Sequence, residues 1–327
     1  MCKTAITGWG MISEMGSTES DILNSWDSRK KPTGGELDFS HSLDPRKIRR
    51  MGRFGRMCAA VTDNCLKMSG CEKGDNTGII MNTDYGSINL NIEFGRLLPT
   101  PELASPMDFA NTVSNAALGN VALYFGLKGP STLLMGSNAL SYSMRQVEKK
   151  PDNAIVVCGG DEYCSPVAST AVKKFGGDVI SEGVAGVVVE SEDSAREIYG
   201  RILGDAETGI GFSPLYQSGR DVVSAYTRVI KKALRKAELE AEDIDLVLLS
   251  NIAQSSVSED EKTAVEEIFG SGCEVINARD MLGESFGASA VSSVILGSVL
   301  VKNKRYEKVL VLGTEMSGTV EAFVLGE

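Results

Sequence analysis

One feature constrains the fold of this chain more than any other. Short apolar runs alternate with helical stretches, and the alternation runs through once and then starts again. The first half closes on AIVVCGG (154–160) followed by VAGVVVE (184–190). The second half closes on VLVLGT (309–314) followed by VEAFVLG (320–326). Upstream of each pair stands a strand with glycines, KTAITGWG (3–10) and GRILGDAE (200–207). Further strands are predicted at 77–82, 131–135, 244–250 and 273–277 from short runs rich in aliphatic and β-branched residues. Helical spacing is read at 18–27, 50–69, within 105–126, at 138–148, 219–238 and 284–302. Another helix should end before Gly270, with Ser258 and Glu261 as a capping box. Residues 28–48 read as a loop. Strands alternating with helices imply an α/β protein with mixed sheets covered by helices. The repeated order suggests two halves, 1–197 and 198–327, stacked into five layers.

Composition narrows the function. Of 327 residues 42% are hydrophobic and only 6% aromatic, so a sizeable and mainly aliphatic core is expected. The formal charge of −11 argues against nucleic acid, which demands a basic face, and against anionic membranes. The seven cysteines are scattered without CxxC spacing, and His41 is the single histidine. Neither a disulfide framework nor a zinc site is expected, and reduced thiols point to the cytoplasm. No metal or other cofactor is implied. The start, MCKTAITGWG, lacks the layout of a signal peptide. The apolar stretch 286–301 is too short and too rich in Ser and Gly to span a bilayer, and reads as a buried helix.

The stretch GPSTLLMGSNALSYSMR (129–145) places a strand, a small-residue corner and a helix in succession. Such corners present nucleophiles in many enzymes. Here the corner holds Ser137 and Asn138, residue types that a tight backbone turn also favours. Asp161 and Glu162 follow a strand end and read as loop carboxylates. Cys158 and Cys164 read as buried thiols, because no basic residue adjoins them. Arg46, Lys47, Arg49, Arg50, Arg53 and Arg56 form a basic patch or a solvated helix face.

Several segments, in order, resemble the β-ketoacyl synthases of the thiolase superfamily. They are AITGWGMIS near the start, RRMGRFGRMCAAV (49–61), SPMDFANTVSNAALGNVALYFGLKGPS (105–131), FGGDVISEGVAGVVVE (175–190), LRKAELEAEDIDLVLLS (234–250) and GESFGASA (283–290). The resemblance implies a thiolase-like, five-layered α-β-α-β-α fold with two pseudo-repeated halves. Active members carry a cysteine at the corner, two histidines and a lysine. The positions that match are Asn138 for the cysteine, Ile252 (or Gln254 with a small shift) for the first histidine, Glu284 for the second and Arg279 for the lysine. All four are replaced.

A Claisen condensation needs a covalent acyl carrier and donors for a developing enolate oxyanion. Asn138 offers no nucleophile, and a carboxylate at 284 opposes the negative charge. No catalytic residue is therefore expected, although Ser137 with Glu284 as base leaves an acyltransferase or hydrolase open. A salt bridge between Arg279 and Glu284 would fill the vacated site.

The family also contains chain length factors, paralogues without the cysteine that pair with an active ketosynthase. The resemblance implies a heterodimer joined edge to edge through the strand after the corner and the helices beside it. Phe109, Val113, Leu118 and Phe125 are candidates to line an acyl tunnel or the interface. Acyl carrier protein would dock mainly on the partner, since the −11 chain is a poor surface for an acidic carrier. A homodimeric protein that holds an acyl chain or carrier without chemistry is the remaining alternative.

Overall fold

The computed structural model describes residues 3–99, 105–136, 139–175, 179–213, 222–249 and 256–327. Its first half runs β1 (Thr4–Ile12), α1 (Glu19–Asp27), α2 (Pro45–Ile48), α3 (Arg53–Ser69), β2 (Thr77–Thr83), α4 (Ile88–Leu97), α5 (Pro106–Thr112) and α6 (Asn115–Phe125). It continues through β3 (Ser131–Met135), α7 (Leu140–Lys149), β4 (Ala154–Asp161), α8 (Ser165–Phe175) and β5 (Gly183–Ser191). The second half runs β6 (Gly200–Gly209), α9 (Val223–Ala237), β7 (Leu246–Leu249), α10 (Ser256–Phe269) and β8 (Glu274–Asn277). It ends with α11 (Arg279–Leu282), α12 (Ser289–Lys302), β9 (Val309–Thr314) and β10 (Thr319–Gly326).

The strands lie in the order β3-β2-β4-β5-β1-β6-β10-β9-β7-β8. Read outward from the middle, each half has the same succession. β1 and β6 form the seam, β5 and β10 lie next to them, then β4 and β9, then β2 and β7, with β3 and β8 at the edges. The directions also repeat. β2 pairs parallel with β3 and β4, as β7 does with β8 and β9. The remaining pairs are antiparallel. The seam itself is narrow, with Ala5 opposite Arg201 and Ile6 opposite Gly200.

Helices form three further layers. Apolar residues of α7 and α12 share one buried cluster with both half-sheets. α3 and α6 cover the outer face of the first half-sheet, and α9 and α10 cover that of the second. This is the expected five-layered thiolase-like arrangement. α12 is buried from Ser289 to Val301, which explains why its sequence is apolar all round. Gly8 lets α3 lie directly on β1, since a Cβ there would sit 2.4 Å from the Cys65 carbonyl oxygen.

Some expectations are corrected. α4 and α8 were not legible as helices. α4 has no buried residue, so no single face shows a pattern. Ser258 and Glu261 lie inside α10, which runs from Ser256, rather than capping it. The edge strand of the first half is β3, which precedes the corner; the strand after the corner, β4, is internal.

Candidate functional site

Parallel strands end together, and the repeat brings two sets of strand ends face to face. From the first half come the turn after β2, the corner after β3 and the end of β4. From the second half come α11, the turn 283–288 and the turn after β9. The Ser317 N–H donates to the Gly136 carbonyl at 2.9 Å. The Asn82 side-chain amide donates to the Gly287 carbonyl at 2.7 Å. Gly136 has a φ of 67°, the left-handed region that favours glycine. Ser137 and Asn138 lie outside the described residues, as do Ile252 and Gln254.

Asp161 is the hub of this junction. It is the last residue of β4 and 1% exposed, which corrects its reading as a loop carboxylate. Its Oδ1 accepts from the Thr83 hydroxyl at 2.5 Å and from the Tyr85 and Gly86 N–H groups at 2.8 and 3.2 Å. Its Oδ2 accepts from the Asp84 and Gly287 N–H groups, each at 3.0 Å. One carboxyl group thus ties the turn after β2 to the second half. Burial raises its pKa to about 6 against the pull of these hydrogen bonds. The neighbouring Glu162 is also buried, and accepts from the Asn89 N–H at the start of α4.

Glu284, at the second histidine position, is 2% exposed. Its Oε1 accepts from the Phe286 N–H at 2.6 Å and the Ser289 hydroxyl at 2.9 Å. Arg279 Nη1 stands 3.4 Å from the same oxygen, so the two residues do meet. Phe286 has a φ of 49°, unusual for a non-glycine residue, and its ring packs edge-on against Tyr85 at 5.0 Å. Burial raises the Tyr85 hydroxyl pKa, and the charges of Asp84, Asp161 and Glu284 add to the shift.

Further carboxyl groups surround the junction. Asp84 follows β2, and its Oδ1 lies 3.5 Å from where a Cβ on Gly136 would stand. Burial pushes its pKa well above the ordinary value, with Asp161 and Glu284 adding and Arg279 opposing. Glu315, 4% exposed after β9, is shifted the same way by burial and by Glu321 on β10. Among the described residues, five carboxyl groups thus lie in or beside this junction, with the Arg279 guanidinium acting on Asp84, Glu284 and Glu315. That arrangement can hold protons.

The other candidates fall elsewhere. Phe109 and Val113 are exposed, at 60% and 50%, while Leu118 and Phe125 are buried in the cluster beneath α3. His41 is exposed in a loop, tilted against Phe39. Cys158 and Cys164 are buried free thiols. Within the basic patch Arg53 is committed, bonded through both carboxylate oxygens to Glu182, whose side chain is fully buried. The other five cations of that patch are exposed. Asp84, Glu315 and Glu321 were missed by sequence reasoning. The one available signal was a charged residue within an apolar strand pattern, as in VEAFVLG.

Comparison with known proteins agrees with this architecture. Residues 38–177 match the model of the beta-ketoacyl synthase N-terminal domain, and residues 216–310 that of the C-terminal domain. The tetracenomycin polyketide synthase ketoacyl synthase beta subunit of Streptomyces glaucescens is 24% identical, across 88% of this chain and 80% of its own. The 3-oxoacyl-[acyl-carrier-protein] synthase 2 of Coxiella burnetii is 20% identical, across 92% and 86%. The solved ishigamide ketosynthase/chain length factor superposes with a TM-score of 0.83 at 19% identity, covering 99% of each chain. No helix among the described residues is long and apolar enough to cross a membrane. With both domain models matched in order and the doubled strand order in place, the chain belongs to the β-ketoacyl synthase family.

Proposed function

We propose that this chain is a non-catalytic, chain-length-factor-like subunit. It pairs in the cytoplasm with an active ketosynthase in type II polyketide, polyene or fatty acid biosynthesis, and shapes the tunnel that receives the growing acyl chain. The observation that carries this reading is Glu284, buried in a cluster of carboxyl groups at the second histidine position. Glu284 presents there an oxygen that accepts hydrogen bonds, from the Phe286 N–H and the Ser289 hydroxyl, where an enolate needs a donor. The corner residue Asn138 adds no nucleophile.

The partner role is supported by exposed apolar side chains on α5, on α6 and on β3, which is an edge strand among the described residues. Met135, Met107, Phe109, Val113 and Leu123 are all exposed, Leu123 at 83%. α4 and α5 have no buried residue although both carry large apolar side chains, and Phe94 and Phe109 touch at 5.5 Å. An exposed apolar patch beside an unpaired strand edge is a place for a second subunit. Carrier protein then docks mainly on the partner, in keeping with the charge of −11.

The test is turnover of malonyl-carrier protein and an acyl-carrier primer by this chain alone, by the ketosynthase alone and by the pair. The proposal expects no condensation from this chain alone and altered product length from the pair. Condensation by the isolated chain, or steady acyl-thioester hydrolysis lost in Ser137→Ala, contradicts it.

A further inference from the structure

We propose that the two halves of the chain are locked together by carboxyl groups that keep their protons, so that the junction loosens as pH rises. This inference concerns the chain itself and does not rest on the partner role. The groups that face one another come from both halves. Asp84, Tyr85 and Asp161 stand on the first, with Glu162 behind Asp161. Arg279, Glu284, Glu315 and Glu321 stand on the second.

Contacts across the junction run through the same turns. The Gly287 N–H reaches Asp161 at 3.0 Å, and the Ser317 N–H, two residues after Glu315, reaches Gly136 at 2.9 Å. Asp161, Glu284, Glu315 and Glu321 are each at most 4% exposed. Two buried oxygens, Asp84 Oδ1 and Glu284 Oε2, have no hydrogen-bond partner among the described residues. Fully ionised, these five carboxylates would outnumber the one guanidinium set among them in the described residues, with little water to screen them, an arrangement that costs far more than it returns. A metal ion is a poor remedy, because no three His, Cys, Asp or Glu side chains converge to hold one among the described residues. Protons remain. A protonated carboxyl group is also a donor, which the two stranded oxygens need.

The titration behaviour agrees. Burial raises Asp161 to about 6, and raises Asp84 and Glu315 well above the usual carboxylate range. Each group holds its proton in the folded chain at pH values where the unfolded chain has lost it. The stability this contributes is full below the unfolded values near 4. It is lost as pH rises through the folded values, which for Asp161 lie near 6.

The experiment is urea unfolding of the full chain between pH 5 and 8 at fixed ionic strength, wild type beside Glu315→Gln. Each proton retained in the fold makes the unfolding equilibrium constant rise about tenfold per pH unit. The glutamine mimics the protonated form, so the slope should be shallower in the variant. If the variant does not fold, proton release is measured on unfolding wild type at pH 7 in weak buffer, and release is expected. An unchanged slope in the variant overturns the proposal. So does proton uptake on unfolding, or a slope abolished by ammonium or potassium ions, which would mean that a cation fills the site.

Discussion

Replacing Asp161 by alanine tests how the junction is built. The carboxyl group accepts four backbone N–H groups, from Asp84, Tyr85, Gly86 and Gly287, and one hydroxyl, from Thr83. Stranding a buried donor costs about 1–3 kcal/mol, so four at the low end give a loss of about 4 kcal/mol at pH 5. The loss should shrink at higher pH, because the wild-type carboxyl group ionises against its burial. With a folded pKa raised by burial to about 6 against an ordinary 3.8, wild type loses stability as pH rises from 5 through about 6. The alanine variant has no such group to ionise, so its deficit should be smaller at pH 8 than at pH 5. Urea titrations followed by far-UV circular dichroism at the two pH values measure both quantities. A deficit below about 1 kcal/mol at pH 5, or one that grows with pH, would refute the reasoning.

The remaining predictions separate surface from core. Phe109→Asp and Leu123→Asp sit on exposed positions, so thermal unfolding of the isolated chain should move by less than the equivalent of about 0.5 kcal/mol. Both should abolish co-purification with an active ketosynthase, and retained co-purification would remove this face from the interface. Leu118→Ala, in the core beneath α3, should destabilise the isolated chain by about 2–4 kcal/mol in urea titration. Arg53→Ala leaves the buried Glu182 carboxylate without its cation and should cost about 3–5 kcal/mol, with Arg53→Lys recovering only part because the two-point contact is lost.

Much of the fold was legible because its strands are short, aliphatic and spaced regularly. AIVVCGG and VLVLGT lie at matching places in the two half-sheets. α12 announced itself as an apolar stretch too long for a strand and too short for a bilayer. α4 left no such trace, since INLNIEFGRL has apolar residues on every side and no buried face. The site was legible only as a set of losses. Arg279 and Glu284 were found by position relative to a glycine-rich turn, and they do meet. Asp84, Asp161 and Glu315 could not be paired from sequence, because they lie at or just past strand ends far apart in the chain. Only the stacking of the two halves brings them together. The split among the four candidates of 105–126 was hidden for a related reason. Helical spacing places Leu118 and Phe125 on one face, but which face meets the sheet is decided by α3.

The proposed role makes this chain half of a mixed pair. Native mass spectrometry of the chain, alone and co-expressed with an active ketosynthase that accompanies it, tests that claim directly. A stable one-to-one heterodimer is expected, lost when Phe109 and Leu123 are changed to aspartate. A chain that remains monomeric or forms only homodimers beside that ketosynthase would contradict it.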